Sequence, residues 1–239
     1  MKRLNKTLYS VSLLAMALAL SACSHDDDDN EISEVAPPQP VTYTYQIKVT
    51  NLTSGQPASP IAVALHNADM PLWTIGESAS DGLALLAESG DNSEFLANTA
   101  LLATASAEQP TLPGESMEVS VSIEDNAAST LTVAAMLGNT NDAFTGFTAM
   151  DLSQLEVGET STRVSVAYDA GTEENTESAM SVPGPAGGGE GPSEGREAHD
   201  FVSMHPGIVS AEGGLSSSVL TSDHRFDNPV LRISVMRME

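Results

Sequence analysis

Basic residues are scarce in this 239-residue chain: nine Lys and Arg stand against 33 Asp and Glu, a formal net charge of -24. So acidic a surface repels nucleic acid and anionic lipid, and its natural counterparts are divalent cations and basic partners. Cysteine is nearly absent. With Cys23 alone, the chain has no internal disulfide and cannot assemble a Cys-rich metal site. Aromatics make up only 4% of the residues, which leaves little to mark a binding surface. The single tryptophan, Trp73, has Pro71, Leu72 and Ile75 around it, which suits the edge of a core. Beyond the first residues, no apolar run approaches the roughly 20 residues of a membrane-spanning helix.

The chain opens with Lys2, Arg3 and Lys6, continues with the apolar run Val11 to Leu20, and then reads Leu20-Ser21-Ala22-Cys23. This is the three-part layout of a secretory signal, with a run too short to persist as a span. Small residues directly before a cysteine resemble the bacterial lipobox. The resemblance implies that Cys23 is lipidated and becomes the new N-terminus, so that the membrane partner is reached through a lipid anchor. By likeness to lipoprotein sorting rules, Ser24 implies an outer-membrane lipoprotein, periplasmic or surface-exposed. Removing residues 1–23 leaves six basic against 33 acidic residues, a net charge of -27. Residues 24–40 contain the run Asp26 to Asp29 and then Pro37, Pro38 and Pro40. Self-repelling charge and proline favour extended chain, so this segment reads as a tether. Residues 41–239 are the domain.

From Val41 the chain alternates, with Val41, Tyr43, Tyr45, Ile47 and Val49 on one side and polar residues between them. That period of two predicts a half-buried strand. The signature returns at Ile61-Val63-Leu65, Met117-Val119-Val121-Ile123, Val164-Val166-Tyr168 and Leu231-Ile233-Val235, while Leu131 to Leu137 is more continuously apolar, as near the middle of a sheet. Gly, Pro, Asn and Asp clusters separate these runs, so the expected fold is all-β, an antiparallel sandwich. Ser80 to Thr104 breaks the alternation and predicts short helical insertions, one of them capped by Ser93. Pro183 to Gly195 reads as a mobile glycine-rich loop.

Candidate chemistry gathers after the strand that ends at Tyr168, in Asp169-Ala170-Gly171-Thr172-Glu173-Glu174-Asn175. A carboxylate at a strand end, a glycine for a tight turn and a second carboxylate four residues on can aim several oxygens at one centre. Ca2+ takes about six to eight such oxygens. Aspartates also dominate turns for local hydrogen-bonding reasons, which is the competing explanation.

Asp169-Ala170-Gly171-Thr172-Glu173, with Asn141-Asp142-Ala143-Phe144-Thr145-Gly146 upstream, resembles the spondin N-terminal domain family. Tyr45 to Thr53, Gly76 to Ser80, Leu86 to Asn92 and His205 to Ile208 add to the likeness in order along the chain. The resemblance implies a β-sandwich similar to calcium-dependent membrane-binding domains, with one calcium held by loops at one end. Its implied ligands are Asp142, Asp169 and Glu173. Two positions depart from the family pattern: Ala143 stands where animal members have tryptophan, and Glu173 where aspartate is usual. The implied role is a non-enzymatic adhesion or surface-interaction module whose partner is an extracellular-matrix protein, a glycan or another envelope component.

Three other patterns compete. Gly191-Pro192-Ser193-Glu194-Gly195 has the G-x-S-x-G form of a hydrolase nucleophile, with Asp200 and His205 downstream. That motif works where a strand feeds the serine into a helix, and here Pro192 and a glycine-rich stretch precede it. An envelope hydrolase using Ser193 and His205 is the alternative reading, and a passive structural envelope protein is the third. His199 and His205 lack the spacing and the partners of a transition-metal site. Asn51-Leu52-Thr53 matches a glycosylation acceptor, which the bacterial signal discounts.

Overall fold

The computed structural model describes residues 39–124, 128–189, 191–192 and 199–239. Cys23, most of the 24–40 segment and Ser193 lie outside the described residues. Gln39–Glu239 form one compact unit.

Nine strands build an antiparallel sheet: β1 (Thr42–Asn51), β2 (Ala62–His66), β3 (Ala103–Ser106), β4 (Ser116–Glu124), β5 (Thr130–Met136), β6 (Ala143–Asp151), β7 (Thr160–Asp169), β8 (Ser203–Met204) and β9 (Leu231–Arg237). The spatial order is β3-β2-β5-β6-β7-β9-β1-β4, with β8 also pairing β7. β7 belongs to both layers of the sandwich. Its first half, Thr160 to Ser165, pairs with β9, and its second half, from Val166, pairs with β6. At the far ends of the path β3 and β4 lie against each other, so the sheet nearly closes on itself.

Between the layers sits the main core, to which Tyr45, Ile47 and Val49 of β1, Val63 and Leu65 of β2, Leu131 and Val133 of β5, and Ile233 and Val235 of β9 contribute. Each aliphatic side chain so buried stabilises the fold by roughly 1.5–3 kcal/mol relative to exposure. The alternation expected for β1 is present, with Tyr45, Ile47 and Val49 buried. All seven residues of β5 are buried. Its inner face meets the main core. Its outer face is covered by helices α1 (Asp81–Ser89) and α2 (Ser93–Leu96), where Leu83, Leu86 and Phe95 pack with Trp73, Ala134 and Phe144. Trp73 is thus a core residue. Gly146, at φ 146°, permits the close passage of β5 over β6 beside the shift in register between Leu131 and Val133: a Cβ there would stand 1.8 Å from the Val133 carbonyl oxygen.

Several local expectations differ from the structure. The β7 residues facing the main core are Ser165, Ala167 and Asp169, while Val164 is exposed and Val166 and Tyr168 are half-buried on the outer side. Apolar periodicity misassigned the faces here because β7 has an apolar covering on its outer side too: Tyr168 rests on Trp73 and Phe144. The principal helix is α1, capped by Ser80, whose Oγ accepts the Leu83 N–H. Ser93 does not cap α2; it is the first helical residue, and its N–H donates to Asp91 Oδ1 at 2.9 Å.

The described part of the glycine-rich segment is packed. Ala186 N–H donates to Asn139 Oδ1 and Gly189 N–H to the Val182 carbonyl, both at 2.9 Å. Asn51 is also occupied, its buried Nδ2 donating to the carbonyls of Gln56 and Thr111.

Candidate functional site

The pairing of β6 with β7 sets Ala143 opposite Asp169. Asp142, one residue before β6, therefore lies beside the turn that leaves β7, and the Ala170 N–H donates to the Asp142 carbonyl at 3.2 Å. Asp142 is fully buried, and Asp169 and Glu173 are 4% and 3% exposed. Three acidic residues thus lie buried at one end of the β6–β7 pair, with Asp142 close enough to Asp169 to feel its charge where solvation cannot stabilise it.

Each is held differently. Asp142 Oδ2 accepts the N–H groups of Thr172 and Glu173 at 2.9 and 3.0 Å and the Thr172 hydroxyl at 3.3 Å, while Oδ1 accepts Asn141 Nδ2 at 2.9 Å. Asp169 Oδ1 accepts the Gly171 N–H, closing the turn, and Oδ2 accepts Asn175 Nδ2, both at 2.8 Å. Glu173 joins the cluster through its backbone: its N–H is one of the donors to Asp142, and its carbonyl accepts Asn141 Nδ2 at 3.3 Å. Gly171 makes the turn possible. It sits at φ 72°, and a Cβ would stand 2.3 Å from the Phe201 carbonyl oxygen.

For Asp142 the electrostatics follow from burial beside a second carboxylate. Among the described residues the only side-chain ion pair is Lys48–Glu118, exposed and remote in sequence. Burial first, and then the charge of Asp169, push the Asp142 carboxyl up to about 7, against the pull of the Glu173 and Thr172 donors. Glu177, 2% exposed, is pushed up to about 7 by burial alone, with the Val209 N–H on Oε1 opposing. His205, 5% exposed, is lowered by burial, with the charge of Asp169 working the other way.

The donors present are chemically suited to a hard cation: carboxylates, amides and carbonyls, all oxygen. Two amide oxygens in particular, Asn141 Oδ1 and Asn175 Oδ1, are buried without a hydrogen-bond partner among the described residues. The carboxylates do not form a preassembled cage, however. Among the described residues no three His, Cys, Asp or Glu side chains stand at metal-holding spacing. Asp142 feels the charge of Asp169, but amides occupy Oδ1 of the first and Oδ2 of the second. The turn motif in the sequence pointed to Asp169 and Glu173, and the family resemblance to Asp142. The capping roles of Asn141 and Asn175 and the burial of Glu177 depend on how the chain folds back.

A Ser-His-Asp relay requires the histidine Nδ1–H to donate to the carboxylate. In this fold His205 Nδ1 instead accepts the Gly207 N–H at 3.0 Å, and Asp200 is exposed. No protein-family model and no curated protein matches the chain.

Proposed function

We propose that this chain is a non-enzymatic, lipid-anchored envelope protein of the bacterial outer membrane. In this reading a spondin-type domain binds calcium at Asp142, Asp169 and Glu173 and serves as an adhesion or surface-interaction module. The supporting observation is a fully buried Asp142 beside Asp169, with unsatisfied amide oxygens and, among the described residues, no basic side chain paired to either carboxylate. Leaving that arrangement without a cation costs stability, so an ion that binds only the folded state is stabilising by mass action. The lipobox-like Leu20 to Cys23 supplies the anchor and the acidic segment the reach. The partner is a matrix protein, a glycan or an envelope component.

The test is calcium titration by calorimetry and thermal melting of the full chain in detergent, beside a variant carrying Asp142→Asn, Asp169→Asn and Glu173→Gln. Saturable binding with a raised melting temperature, both lost in the variant, is expected. A wild-type chain that takes up no calcium sinks the reading. Cys23→Ala should release the protein from the membrane fraction. A glycan and matrix-protein array then separates an adhesion module, which has a saturable ligand, from a passive structural protein, which has none.

A further inference from the structure

Asn141 and Asn175 share one arrangement. Asn141 is fully buried, its Nδ2 donating to Asp142 Oδ1 and to the Glu173 carbonyl, and its Oδ1 finds no donor. Asn175 gives its Nδ2 to Asp169 Oδ2, and its buried Oδ1 likewise finds none. The orientation of both amides is dictated by their neighbours, since a carboxylate or a carbonyl oxygen can only accept and the NH2 must face it. The result satisfies the acids and leaves the amide oxygens unsatisfied. A buried acceptor without a donor is costly, so two of them at one site call for a physical reason.

A second state supplies that reason. Half a turn about the Cβ–Cγ bond exchanges Oδ1 and Nδ2, turning a donor that caps a carboxylate into an oxygen ligand beside it. We propose that Asn141 and Asn175 are amide caps that hold the cation site closed in the metal-free protein and turn to place Oδ1 on the cation when it binds. The inference rests on the calcium reading above and adds to it two neutral oxygens and a regulation. The ion must displace both amides to reach the acids. The same capping accounts for the lack of a preassembled carboxylate cage, because Asp142 and Asp169 each spend one oxygen on an amide. A site of this kind fits a hard cation that accepts neutral oxygens, and its affinity depends on how readily the caps turn.

The experiment follows the side-chain NH2 resonances of Asn141 and Asn175 by NMR in the full chain during calcium titration, alongside calorimetry of Asn175→Leu and Asn175→Asp. Both NH2 pairs are expected to shift with the calorimetric midpoint. Asn175→Leu is expected to weaken calcium at least tenfold, and Asn175→Asp to restore it to within threefold. Aspartate can ligate a cation but cannot donate to Asp169, so rescue by aspartate separates a ligand from a purely structural cap. If wild-type protein binds calcium while the NH2 resonances stay fixed, or if both variants bind within twofold of wild type, the inference falls and the calcium reading stands. If wild type binds no calcium, both fall. Should a variant fail to fold, the resonances of the wild-type protein still decide.

Discussion

With four donors on its carboxylate, Asp142 would ordinarily titrate low; burial and the charge of Asp169 prevail and push it up to about 7. The sign for stability follows. A carboxyl raised in the folded state contributes stability that is fully present below its unfolded value near 3.8 and is lost as pH rises through about 7. In chelator, Asp142→Asn should therefore melt close to wild type near pH 4 and above it at pH 8, where only wild type carries the buried charge. In calcium at pH 8 the order should reverse. Thermal melts at the two pH values, with and without calcium, check this. An Asn variant that melts lower than wild type under all four conditions would mean that the carboxylate is needed for its hydrogen bonds alone. Gly171 bears on the same turn. Gly171→Ala combines a left-handed backbone with a collision against the Phe201 carbonyl and should cost at least about 2 kcal/mol in denaturant unfolding. Asp169, Gly171 and Glu173 were legible in the sequence, because turn chemistry is local, whereas Asp142 was singled out only by the family resemblance. The caps on Asp142 and Asp169 were not legible, since a side-chain amide can point either way and only the folded chain decides what it meets.

β7 illustrates why strand existence is easier to read than strand facing. Its period of two is plain, but from Val166 onward both faces are covered, so apolar residues no longer mark the inside there, and Val164 before them is exposed. The inward set is Ser165, Ala167 and Asp169, and this places the last of these within the acidic cluster. On the outer face Tyr168 and Phe144 stack at 5.2 Å between ring centroids, with Trp73 edge-on to Phe144 at 5.2 Å and to Tyr168 at 5.8 Å. Tyr168 and Phe144 each lie within two residues of a candidate ligand. The single tryptophan should accordingly report cation binding: its emission is expected to change in intensity or wavelength with the calorimetric midpoint for calcium, and to stay constant in the triple carboxylate variant. A calcium-binding chain with unchanged Trp73 emission would mean that the aromatic trio is mechanically isolated from the turns. Helix α1 offers an independent check on the local reading. Ser80→Ala removes the acceptor for the Leu83 N–H, and the long 3.3 Å bond puts the loss at the low end of cap energies, about 0.5–1 kcal/mol, in denaturant unfolding.

For the molecule as a whole, charge is the dominant unbalanced quantity. The chain carries a net charge of -24, and its described part holds a single exposed ion pair. Like charges at this density repel across the folded surface and relax when the chain expands, so the fold works against its own field. The antiparallel sandwich was legible because each strand repeats its hydrophobic signal and the layers need only bury it. The near-closure of β3 on β4 and the sharing of β7 between layers were not, because they arise from sheet twist and register. Self-repulsion is diffuse and should respond to any salt, whereas the acidic turns are local and should respond to one class of ion. Raising sodium chloride from about 10 to 200 mM shortens the screening length from roughly 30 to 7 Å and should lift the melting temperature by about 2–5 °C, without saturating sharply. Calcium at matched ionic strength should add a second, saturable increment that sodium and magnesium do not reproduce, since magnesium demands a small octahedral shell and keeps its waters. Melting curves across the two series separate the contributions. An equal response to calcium, magnesium and ionic strength would assign the whole effect to screening and leave the buried carboxylates without a specific ion. A calcium increment that disappears in the triple carboxylate variant, with the sodium response intact, would place the specific part at the β6–β7 end and the diffuse part on the surface.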